Sequence, residues 1–89
     1  AKANDYYLKA LKAEREIGDK SGEGITLNSI ARLMAKRGNF RGAELMYQEA
    51  IRLSTETRNQ AGIGSASNNL GALLLRQNKF DEARQSFLN

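Results

Sequence analysis

The side chains best suited to chemistry in this chain are amides and cations: Asn28, Arg32, Lys36, Asn68, Asn69 and Arg76. A primary amide offers two donors and an acceptor, so it can pair with a peptide backbone whatever side chains that backbone carries. A guanidinium grips a carboxylate in a bidentate fork, and an ammonium adds a point charge. Such groups hold a molecule rather than transform it. The 89 residues include no histidine and no cysteine, which removes the commonest general base, the commonest metal ligand, thiolate sites and disulfides. Glu44 and Glu49 fall on different sides of one helical stretch and form no carboxylate dyad. Asp81-Glu82 opens a helix, where acids complement the dipole. No nucleophile has an evident base, so the expectation is no enzyme, no cofactor and no metal site.

Two further patterns resemble known chemistry only in part. Gly22-Glu23-Gly24 and Gly62-Ile63-Gly64 each precede a predicted helix, as phosphate-binding loops do. They lack the preceding strand and the further glycines or Lys-Ser/Thr of such loops, and are read as sites of close helix approach and flexible joints. The net charge of +4 comes from 14 Lys and Arg interleaved with 10 acids, without a basic block. That distribution fits a solvated surface better than a nucleic-acid footprint. No apolar run approaches the ~20 residues that span a bilayer, and residues 1–7 contain no apolar signal-peptide core; a cytoplasmic location is expected.

The elements that position these residues emerge when the chain is laid on itself with a shift of 40. Gly22 falls on Gly62, Gly24 on Gly64, Asn28 on Asn68, Ile30 on Leu70, Leu33 on Leu73 and Phe40 on Phe80. Ala3, Ala43 and Ala83 coincide, as do Tyr7, Tyr47 and Phe87, while Ala10 meets Ala50 and Leu11 meets Ile51. A fixed period of this length marks a solenoid or array. Each unit splits into two predicted helices. The first covers residues 24–37 and 64–77, with Leu27, Ile30, Ala31 and Met34 at i, i+3, i+4 and i+7, and Leu70, Leu73 and Leu74 beside Gly71 in the copy. The second covers 40–57, with Ala43, Met46, Tyr47, Ala50 and Ile51. Arg37-Gly38-Asn39 and Gln77-Asn78-Lys79 are expected turns. Gly18–Gly22 and Thr57–Gln60 are expected as longer joints, with Ser21 or Asp19 capping the next helix.

The pattern resembles the tetratricopeptide repeat, whose first helix carries a bulky residue, then Leu-Gly and an aromatic, and whose second carries Ala, an aromatic and Ala. Leu27, Ile30, Ala31, Met34 and Ser67, Leu70, Gly71, Leu74 stand in the first set; Ala43, Tyr47, Ala50, preceded by Ala3, Tyr7, Ala10 and followed by Ala83, Phe87, stand in the second. Asn68-Asn69-Leu70-Gly71 and the run Ile17–Gly24 are similar to the 40-residue variety found in Leu-Gly-Asn-repeat (Pins-like) proteins and in bacterial repeat regulators. Thr55 stands where the family usually closes with proline, Ala31 replaces a glycine and Ser67 a bulky residue. The resemblance implies an all-α fold, an α-solenoid of antiparallel helix pairs with about two and a half repeats. Residues 1–17 would be the second helix of a truncated repeat, 22–57 a full pair, and 62–89 a pair with a truncated second helix.

On a wheel centred on Ile30, residues Ile25, Asn28, Arg32, Ala35 and Lys36 lie opposite the apolar stripe, and Ser65, Asn68, Ala72, Leu75 and Arg76 repeat them with Asn69 alongside. Polar residues opposite an apolar stripe are also the solvated back of any amphipathic helix. In the family the first helices line the concave wall, so the resemblance implies a groove here that holds a protein or peptide segment, with Arg32, Lys36 and Arg76 favouring acidic groups. The alternative expectation is a structural segment that self-associates by stacking its apolar ends head to tail.

Overall fold

The computed structural model describes residues 2–88, with side chains from Asn4 to Ser86. They form α1 (Lys2–Ile17), α2 (Lys20–Lys36), α3 (Phe40–Glu56) and α4 (Gln60–Leu88), with no strand among the described residues. The fold is therefore all-α, as expected from the periodicity.

The three joints share one construction. A residue in the left-handed region ends each helix: Gly18 at φ 74°, Gly38 at φ 84° and Arg58 at φ 56°. The next residue, Asp19, Asn39 or Asn59, caps the following helix by accepting a hydrogen bond from the backbone N–H of Gly22, Gly42 or Gly62 at 2.9, 3.0 and 3.0 Å. Each cap satisfies a donor that the first helical turn leaves orphaned. The 40-residue unit thus contains a finer 20-residue beat of stop and start. Asp19 rather than Ser21 is the cap, and α2 and α4 begin at Lys20 and Gln60 rather than at Gly24 and Gly64. The expected longer joints shrink to Gly18-Asp19 and Thr57–Asn59, because the caps draw the glycine-containing segments into the helix.

The fourth beat is silent. The turn expected at Gln77-Asn78-Lys79 does not form, and α4 runs unbroken through it for 29 residues. Gly38 has become Asn78 and the capping Asn39 has become Lys79. The site has lost its least strained left-handed residue and, more decisively, the side-chain acceptor that would restart a helix.

Packing is sequential: α1 lies on α2, α2 on α3 and α3 on α4, with only a slight direct contact between α2 and α4. One apolar cluster joins Leu11, Leu27, Ile30, Ala50, Leu53 and Ala66; a second joins Ala31, Ala35, Ala43, Tyr47 and Leu73. Ala35, placed by the wheel on the polar side, is buried. On α4 the buried residues are Ala66 and Leu73, while Leu70 is only half-buried and Gly71, Leu74 and Leu75 are exposed. The face bearing Ser67, Leu70, Gly71 and Leu74 copies the face of α2 that receives α3, and no helix among the described residues covers it. Ala83, the register copy of buried Ala43, is exposed for the same reason. The expected core positions Ala3 and Phe87 lie outside the described side chains. Tyr6 is exposed and meets Tyr7 edge-on, ring centroids 5.7 Å apart.

Candidate functional site

Helices α2 and α4 run side by side over α3, and their seam opens into two hollows. The first, about 200 Å³, is lined by Arg32, Ala35 and Lys36 from α2, Asn69, Ala72, Leu73 and Arg76 from α4, and Tyr47 from α3 below. Residues four and three apart on each helix deliver these side chains to one side. Ala35 and Ala72 keep the hollow open by being small, and Tyr47 is held at its floor by the second apolar cluster.

The electrostatics of this hollow are one-sided. Arg15 pairs with Glu23, Lys20 with Glu56, and Arg52 with Glu49 and Glu56. Among the described residues no carboxylate pairs with Arg32, Lys36 or Arg76. The Arg76 guanidinium instead lies 5.5 Å from the centroid of the Phe40 ring, which props it over the seam by cation–π attraction. Burial pushes the Tyr47 hydroxyl above its usual value, and the fields of Arg32 and Arg76 pull it back. Both arginines therefore act on the same hydroxyl, which remains a donor at neutral pH. Two guanidiniums, an ammonium, a phenol and an amide converge on one cavity with no anion to meet them. A smaller hollow of about 150 Å³, lined by Tyr7, Ser29, Arg32, Leu33 and Lys36, continues the surface toward α1.

The second seam hollow, about 250 Å³, lies toward the helix starts. Gly24, Ile25, Asn28, Ser54, Asn59, Ala61, Gly62 and Ser65 line it, and its wall is mostly apolar. Between the two hollows the seam is closed by amides. Asn69 Nδ2 donates to Asn28 Oδ1 at 3.1 Å, and Asn28 Nδ2 donates to Ser65 Oγ at 3.4 Å.

Of the residues singled out from sequence, Arg32, Lys36, Asn69 and Arg76 meet in the cationic hollow, and Asn28 sits one bridge away. Asn68 joins neither hollow and is exposed. Although it occupies Asn28's place in the unit, its neighbour Asn69 makes the cross-seam bond. Asn28 and Asn69 thus spend part of their hydrogen-bonding capacity on each other.

A model of the tetratricopeptide repeat matches residues 25–60 and again 64–88, more than half the chain. The chain belongs to the tetratricopeptide repeat family. Comparison with curated proteins and with solved structures returns no match. Tetratricopeptide repeats generally mediate protein–protein interaction and are typically non-enzymatic scaffolds. Among the described residues no group of acidic side chains could hold a metal ion, and no helix is long and apolar enough to cross a membrane.

Within this tetratricopeptide pair, sequence reasoning missed Tyr47 and Phe40. The 40-residue repeat gives both a place only in its apolar framework. A signal was present: Tyr7 and Tyr47 keep a hydroxyl where the copy, Phe87, has none. A buried tyrosine needs somewhere polar for its oxygen, and both tyrosines line a hollow shared with Arg32 and Lys36.

Proposed function

We propose that the protein is an interaction scaffold that holds a peptide segment of another protein along the α2–α4 seam, taking an acidic group of that segment into the hollow between Arg32, Lys36 and Arg76. The observation that carries this is the convergence of three cations without a counter-charge over a protonated Tyr47 hydroxyl. Unpaired cations around a hollow attract an anion, and arginine forks fix the orientation of a carboxylate. The partner is thus a protein or peptide of acidic character.

The test is a selection from a random-peptide display library on the natural chain and on an Arg32→Glu, Arg76→Glu variant, with circular dichroism to verify that both are equally helical. Acidic peptides should be enriched on the natural chain and bind the variant at least roughly tenfold more weakly, since each hydrogen bond to a charged group contributes about 1.5–3 kcal/mol. Enrichment of the same peptides on both proteins would remove this face as the site.

One observation favours a second reading, head-to-tail association. The α4 face with Leu74 at 45% and Leu75 at 56% exposure copies the α2 face on which α3 packs, and α1 shares α3's register. A second copy's α1 would therefore fit it. Sedimentation should then show concentration-dependent assembly that Leu74→Glu abolishes; a monomer at all concentrations refutes it.

A further inference from the structure

We infer that the seam reads its peptide at two points, an acidic residue in the cationic hollow and an aliphatic residue in the hollow at Ile25, Ala61 and Ser65, about four residues apart in an extended chain. This rests on the proposed function and specifies its ligand.

The second hollow has a mostly apolar wall, and Ile25 stands at it with 61% of its surface exposed. Gly24 and Gly62 bring only backbone to its wall and Ala61 only a methyl, which leaves room beside the Ile25, Asn28, Ser54, Asn59 and Ser65 side chains. No charged side chain lines it. Its occupant is an uncharged aliphatic group, and the seam leads from it across the amide bridge to the cationic hollow. A partner drawn in by the three cations would thus lay its next residues over it.

The spacing follows from the helices. The cationic lining lies about nine residues further along α2, and about ten further along α4, than the apolar lining; at 1.5 Å per residue both give roughly 13–15 Å. An extended chain covers that distance in about four residues at 3.3 Å each. The amide bridge between the hollows selects the extended form. Asn28 keeps one N–H and Asn69 its carbonyl oxygen without a partner among the described residues, and an extended backbone presents both a carbonyl and an N–H to meet them. A helical ligand has already used its backbone groups internally.

The experiment measures binding of short Gly/Ser peptides carrying one Leu and one Glu pair, with the separation varied a residue at a time, by fluorescence anisotropy. Affinity should peak at a separation of four and fall on the order of tenfold when Leu is replaced by Gly, as expected for losing the burial of one aliphatic side chain. Ala61→Leu, which fills the hollow from an exposed helical position, should abolish the Leu dependence while leaving the Glu dependence intact. Affinity that depends on Glu and on Arg32 and Arg76 but not on Leu or its spacing, or a peak at another separation, overturns the two-point rule and leaves the scaffold function standing. No binding by any peptide of the series, together with no acidic enrichment in the library, overturns both.

Discussion

Tyr47 carries two roles in one side chain. Its ring belongs to the core with Ala31, Ala43 and Leu73, at 3% exposure, while its hydroxyl faces two arginines. Burial raises its ionisation above the usual 10.0, more than Arg32 and Arg76 lower it. The unfolded chain therefore gives up this proton first. Stability from the protonated phenol is fully present below pH 10 and is lost as pH rises through the folded-state value. Urea midpoints should fall above about pH 10 more steeply for the natural chain than for Tyr47→Phe; parallel slopes would place the hydroxyl outside this balance. At this scale it is legible that Arg32, Lys36 and Arg76 share one side, because a helix wheel needs only their spacing; that this side is a groove comes from the family resemblance. Which of Asn68 and Asn69 would cross the seam was not, since that depends on the rotation of α4 against α2, which a period of 40 does not encode.

At the scale of the element, α3 was legible almost to the residue, bounded by Gly38-Asn39 before it and by Thr57 after it. The starts of α2 and α4 were placed late because glycine is a poor helix former, whereas Asp19 and Asn59 hold Gly22 and Gly62 in the first turn by their N–H groups. The stop at Thr57–Gln60 is legible, but its left-handed residue is not, since an arginine at φ 56° bears roughly 1–2 kcal/mol of left-handed strain. Helix α4 shows the opposite case, a turn expected from register but lacking the residues to make it. Restoring them as Asn78→Gly with Lys79→Asn should break α4 there and let the following segment fold back over Leu70 and Leu74. Amide hydrogen exchange would show faster exchange confined to the residues just after 77 and added protection at Leu70–Leu74. Uninterrupted protection through residue 80 would mean that tertiary contacts, not turn chemistry, set the length of α4.

Across the whole molecule, 52 × 29 × 14 Å in extent, each helix depends on its chain neighbours, and both apolar clusters draw on α2 and α3. Leu53, 2% exposed where α3 joins α2 and α4, is a common tie. Truncation to Ala should cost about 2–5 kcal/mol, a large share of the roughly 5–15 kcal/mol of a natural domain, and thermal melting should show one lowered transition. A loss below 1 kcal/mol would mean that the helices stand more independently than their packing implies.

The slight contact between α2 and α4 also has a mechanical meaning. Three short, capped joints resist pivoting, so the softest deformation left to the fold is a change of curvature that spreads or closes the two helices across the Asn69–Asn28–Ser65 bridge. A peptide bound there as proposed would span both banks of that furrow and would stiffen the protein into a fixed arc.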